Sequence, residues 1–160
     1  MSTTFSSICA NPTRYERRIA NQSFAKENIF EQYLDSCFFN EVNFIDCSFE
    51  DCEFIGLDFS SCSFTNCSFK NVIIRKSDFS YSTVKNCQFI NCVLTPRIEF
   101  YSTVFLNSQF SSVDFAKAFL CKCEFIETNF IKINFKQAIL KNSKIKNTNL
   151  NGLKVDNSED

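Results

Sequence analysis

The chain has 160 residues, a net charge of −1, and neither histidine nor tryptophan, which argues against a surface that seeks nucleic acid by charge alone and removes the commonest general base. It carries 21 Phe and 10 Cys but only 2 Gly and 2 Pro, so it must turn by one repeated device or be mostly helical. No run of 18 apolar residues marks a membrane span, and the first residues lack the basic and apolar blocks of a secretory signal.

Residues 1–18 precede any periodic pattern and form an N-terminal cap or tail. Within them, Asn11–Arg18 reads either as a short helix, with Asn11 as N-cap and Pro12 at the first helical position, or as a tail without structure.

From Ile19 every fifth residue is apolar, through Phe24, Ile29, Leu34, Phe39 and onward to Leu94. After a slip of one residue the series resumes at Phe100 and runs to Val155. All 28 positions are apolar and hold 17 of the 21 Phe. In a chain that is 44% hydrophobic, chance gives such a series about once in 10^10 trials. Two residues before each of these lies a second series of small or β-branched residues, among them Cys37, Val42, Cys47, Cys52 and Leu57. The residues between are mostly Asn, Asp, Ser, Lys, Glu and Thr.

Period five matches neither a helix nor a strand. It matches a chain that turns a corner every five residues, with one large side chain per side pointing inward. Four sides make a 20-residue coil, coils stack about 4.8 Å apart, and residues 19–155 give about seven coils. Residues 20 apart then form columns, such as Phe49, Phe69, Phe89, Phe110, Phe130 and Leu150. The slip lies in Thr95–Glu99. Pro96 cannot donate to a ladder, so a bulge is expected there, either as a contact through Pro96 and Arg97 or as a harmless insertion. After Val155 only a tail, 156–160, remains. An uncapped solenoid end exposes core and strand edges, so the expectation is a two-fold homodimer through Ile145, Leu150, Leu153 and Val155, against a fraying end.

The run CSFEDCEFIGLDFSSCSFTNCSFKN, Cys47 to Asn71, resembles the pentapeptide-repeat family, and the resemblance covers about 85% of the chain. It implies an all-β fold, a right-handed quadrilateral parallel β-helix. Phrases such as FEDCEFI and LNGLKVDN are most similar to the Qnr and MfpA branch, which imitates DNA in shape and charge and binds type II topoisomerases. The long loops of many Qnr proteins are missing here, as they are in the MfpA type, and the charge is near neutral where that branch is acidic.

Eight of the ten Cys fall on the inward small position and read as core fillers. No C-x-x-C pair and no His supply a metal site, so no metal or cofactor is expected. Free thiols point to a reducing compartment, the bacterial cytoplasm, with secretion into a host cell left open. Without His or a phosphate-binding loop, an enzyme is not expected.

The charge is polarised. Nine acids and no base lie between Glu27 and Phe69, whereas 13 bases face eight acids from Lys70 onward. Asp58, Asp78 and Glu99 fall in one outward column. With Glu41, Asp46, Glu50, Asp51 and Glu53 they form a candidate acidic surface for DNA gyrase or topoisomerase IV, as the resemblance implies; otherwise they are simply solvated. Val104, Leu106 and Ile126 form a candidate apolar patch. The alternative function is a scaffold or secreted effector with an unrelated protein partner.

Overall fold

The computed structural model describes residues 4–10 and 17–149. From Arg17 onward every β-pairing is parallel, and the chain winds about six turns of a β-solenoid. Four faces carry four inward columns. Face 1 holds Ile19, Phe39, Phe59, Phe79, Phe100, Leu120 and Leu140. Face 2 runs from Phe24 to Ile145, face 3 from Ile29 to Phe130, and face 4 from Leu34 to Phe135.

Face 2 is a seven-stranded ladder from Ser23–Ala25 to Lys144–Lys146, and face 3 a six-stranded one from Asn28–Phe30 to Asn129–Ile131. Face 4 has four strands, Tyr33–Asp35 to Val93–Leu94. On face 1 only Arg17–Ala20 and Cys37–Asn40 form full strands; single bridges continue it. There the chain bends into a turn after the central residue, with Cys62 N donating to Phe59 O at 3.1 Å and Ser82 N to Phe79 O at 3.2 Å.

The corners explain how a chain with two glycines turns so often. Every fifth residue, two places after the inward one, sits in the left-handed region, with φ from 47° at Asn107 to 64° at Gly56. All but Gly56 are non-glycine, and such residues cost about 1–2 kcal/mol each there. The cost is offset locally: corner amides donate to the coil above, as Asn66 N does to Lys85 O at 2.9 Å. Asn and Asp, the residues that best tolerate this region, fill most corners of face 2.

The interior is the stack expected from the spacing. Phe49, Phe69, Phe89 and Phe110 lie in file, with ring centroids 4.7, 4.5 and 4.7 Å apart. Stacked and edge-to-face pairs add about 0.5–1.5 kcal/mol each beyond burial. At the slip the ladder resumes at once: Glu99 N donates to Ser77 O at 3.0 Å. Pro96 is the extra residue, its carbonyl still accepts from Lys76 N at 2.9 Å, and Arg97 takes the corner, with φ 56°.

Among the described residues the N-terminal helix precedes Asn11 and Pro12. Helix α1 spans Phe5–Cys9, with the Thr4 hydroxyl accepting from Ser7 N at 3.1 Å. Arg17 and Arg18 are extended, paired with Cys37 and Phe38, while residues 11–16 lie outside the described part. The helix plugs the rod. Phe5 is fully buried, and its ring lies 5.6–6.1 Å from Phe39, Phe44, Phe49 and Phe54, one from each face. Both Glu27 carboxylate oxygens accept from Phe5 N, at 3.0 and 2.9 Å, which ties the start of α1 to the first described coil. Phe5→Ala should cost about 3–5 kcal/mol, read as a lower urea midpoint with an unchanged slope; a loss under about 1 kcal/mol would mean that the plug is dispensable.

The cysteines behave as core atoms. No disulfide joins any of the ten, and all but Cys121 are buried. The inward thiols donate to carbonyls of the coil below, as Cys62 Sγ does to Phe39 O at 3.3 Å and Cys92 Sγ to Phe69 O at 3.4 Å. Burial pushes Cys62 and Cys92 up to about 11 and Cys123 to about 12. A thiol whose pKa is raised by folding holds its proton longer in the native state than in the unfolded one. This contribution is complete below the unfolded value of 9.0 and is lost as pH rises to about 11–12. The urea midpoint should therefore fall above pH 9, and Cys62→Ser, Cys92→Ser and Cys123→Ser together should flatten that fall.

Candidate partner-binding surface

With the interior filled by apolar and small hydroxyl side chains, outward side chains carry any interaction. Their duties differ. On the corner of face 2 an amide ladder rises through four coils: Asn107 Nδ2 donates to Asn86 at 3.0 Å, Asn86 to Asn66 at 3.0 Å, and Asn66 to the Asp46 carboxylate at 2.9 Å. A second ladder on the corner of face 3 ends on Asp51, which accepts from Asn71 at 2.8 Å. Glu50 pairs with Lys70 one coil on, and Glu53 with Arg75 at 3.3 Å. Such exposed pairs add little to stability, yet they neutralise the carboxylates locally.

Four of the eight sequence-selected acids are thus engaged by other side chains, on faces 2, 3 and 4. The remaining four, Glu41, Asp58, Asp78 and Glu99, pair with no other side chain among the described residues, and all four belong to face 1. Asp58, Asp78 and Glu99 are in direct register, each bridged to the next. Asp58 Oδ1 accepts from Ser60 N at 2.8 Å and Asp78 Oδ1 from Ser80 N at 2.7 Å. One oxygen of each therefore caps its own turn, and the other stays available. Asn134 makes the same cap on face 4, accepting from Lys136 N at 3.0 Å, so the cap needs an oxygen and not a charge.

Beside this column runs a row of bases from the corner of face 4. Lys76 and Arg97 stand across from Asp78 and Glu99, and Gly56, without a side chain, leaves the row open below. Together they line a shallow groove of about 370 Å³. The one-residue insertion thus brings Arg97 into this groove, while the Thr95 hydroxyl takes the Ala116 carbonyl. Pro96 is exposed outside the groove.

At the other end, Ile145 is 48% exposed between the exposed Lys144 and Lys146. Leu150, Leu153 and Val155 lie outside the described residues. Val104, Leu106 and Ile126 share face 2, with Leu106 beside Ile126 in register, and all three are half-buried. Among the described residues no group of three or more Cys, Asp or Glu is placed to hold a metal ion, and no helix is long and apolar enough to cross a membrane. The capping role of Asp58 and Asp78 and the plug at Phe5 were missed in the sequence. The signals were present: an Asp before the inward residue with Ser two places later, and Thr4 with Ser7 at capping distance.

A parallel four-sided solenoid of stacked coils around a closely packed interior defines the class: a β-helical repeat protein. The chain belongs to the pentapeptide-repeat family, whose sequence profile matches residues 33–66, 58–95, 103–142 and 123–152, in eight copies. No curated protein sequence matches it. Similar solved structures include a trypsin-treated form of QnrB1, a plasmid-mediated fluoroquinolone resistance protein. It is 19% identical over 82% of this chain and 73% of that one, with a TM-score of 0.48. A pentapeptide-repeat protein of the Arabidopsis thaliana thylakoid lumen is 19% identical over 61% and 67%, with a TM-score of 0.45. HetL of the cyanobacterium Nostoc, involved in heterocyst differentiation, is 11% identical over 89% and 95%, with a TM-score of 0.25.

Proposed function

We propose that this chain is a non-enzymatic binding rod of the cytoplasm that presents face 1 to the DNA-binding surface of a type II topoisomerase, DNA gyrase or topoisomerase IV, and modulates or protects that enzyme. The observation that carries the reading is the carboxylate column Asp58, Asp78 and Glu99, in register on one face and free of side-chain partners. Stacked coils set one charge per about 4.8 Å of axis, against one phosphate per about 3.4 Å along a DNA strand. A basic saddle shaped for phosphates meets a row of rigidly held anions at comparable spacing. Glu41, exposed on a corner of the same face one coil nearer the N-terminus, adds a charge beside the row. Asp46 and Asp51, on other faces, add to the rod's field rather than to the contact, while Glu50 and Glu53 are offset by Lys70 and Arg75. Pro96 and Arg97 border the same surface. Ten cysteines without a disulfide accord with a reducing compartment.

Asp58→Asn with Asp78→Asn and Glu99→Gln removes the charge and leaves each Asp an oxygen for its turn cap. This triple variant should keep the parent circular dichroism and lose at least about tenfold in affinity for purified gyrase. The parent protein should alter supercoiling by gyrase, or its sensitivity to a fluoroquinolone. No effect of the parent on either enzyme would sink the reading.

The same reading makes the C-terminal coil a homodimer end built on Ile145, Leu150, Leu153 and Val155. Sedimentation equilibrium should give a dimer for the parent and a monomer for Ile145→Asp; a parent that sediments as a monomer removes this part alone.

A further inference from the structure

Face 1 changes character along the rod. Its outward column reads Phe38, Asp58, Asp78, Glu99, Phe119 and Ile139, with consecutive members in register. After Glu99 the acids end and two apolar side chains follow, Phe119 at 42% and Ile139 at 45% exposure. Lysines frame them on both sides. On the corner shared with face 4, Lys117 N bonds to Lys136 O at 3.0 Å; on the corner shared with face 2, Lys122 N bonds to Lys141 O at 2.9 Å. Each pair therefore stands on neighbouring coils. All four are exposed, and none makes an ion pair among the described residues. Two tyrosines complete the lower edge. Tyr81 is 63% exposed and meets Tyr101 edge-on at 5.6 Å, while Lys122 Nζ lies 4.8 Å from the Tyr101 ring.

We propose that this end of face 1 is a contact site for anionic phospholipid headgroups. It is independent of the topoisomerase reading and uses none of its residues. Phe119 and Ile139 would enter the boundary between headgroups and acyl chains, the tyrosines would sit at headgroup level, as aromatic residues with a polar tip do, and the lysines would meet the lipid phosphates. Two features favour a lipid surface over an acidic protein. The four bases are lysines, hydrated point charges on flexible stems, which suit a laterally mobile array of phosphates; fixed carboxylates are matched better by the planar fork of arginine. The site also lies on a flat outer face, where a sheet of headgroups can reach both lysine pairs and the apolar residues between them at once. Glu99, Asp78 and Asp58 continue the column away from the site, so an anionic bilayer would hold the rod by its last coils and repel the rest.

Sedimentation with vesicles at low ionic strength tests this. The protein should pellet with vesicles of phosphatidylcholine and phosphatidylglycerol in equal parts, stay in solution with phosphatidylcholine alone, and detach as salt rises. Each lysine near such a surface is worth about fivefold in affinity. Lys117→Glu, Lys122→Glu, Lys136→Glu and Lys141→Glu combined should therefore cost more than about a hundredfold. Phe119→Ser with Ile139→Ser should cost about tenfold, and Lys85→Glu, on face 2, nothing. No pelleting of the parent with the anionic vesicles overturns the proposal, as does pelleting that the lysine or apolar replacements leave intact. Capture on polyglutamate beads without vesicle binding also overturns it, in favour of an acidic protein partner.

Discussion

The structure depends on one backbone event repeated every five residues: a left-handed corner whose amide bonds to the coil above. That residue turns the chain by about a quarter circle and, in the same step, ties adjacent coils together. Because the next corner comes five residues later, each side has room for one inward large side chain, one inward small one and three outward positions. The Phe columns follow from this, since residues one coil apart are held at the spacing of a parallel ladder, which is also a good distance for stacked rings. Asn, Asp, Ser and Lys can fill the corners because most of these strained residues are held by such a hydrogen bond.

The same geometry sorts the exterior into vertical columns, and proximity within a column decides what each charge is able to do. Asp46 and Asp51 end amide ladders because their upward neighbours are asparagines. Glu50 is paired because its upward neighbour is Lys70. Asp58 and Asp78 have each other and Glu99 in file, with no base or amide above or below. Charge on this rod is thus a property of columns and not of chain segments. Of the eight candidate acids, those without a side-chain partner lie on one face, three of them in a row.

The ends obey a different rule. A solenoid exposes its interior wherever stacking stops, and here helix α1 covers the N-terminal end with Phe5, Ile8 and Cys9 buried. Phe5 meets all four faces of one coil, and Glu27, on an inward position that most coils fill with an apolar or small residue, holds the backbone of α1 instead. At the last described coils burial declines, with Leu140 half-buried and Ile145 exposed. The two ends therefore differ in kind: one is sealed by a plug, the other carries lysines around exposed apolar groups.

The period, the inward columns and the use of cysteine as filler were legible in the amino-acid order, because each depends only on spacing and side-chain size. The slip at Thr95–Glu99 was visible for the same reason. The column Asp58, Asp78 and Glu99 could be drawn once the coil length was known. Which of the eight acids remain free could not, because that turns on what side chain stands one coil above and how far it reaches. The plug was hidden because it lies outside the repeat: Phe5 is an isolated apolar residue until the coil at Phe39–Phe54 is closed around it. Spacing determined what points inward; only the stacking of coils decided which outward groups stand next to one another, since those neighbours are some 20 residues apart in the chain.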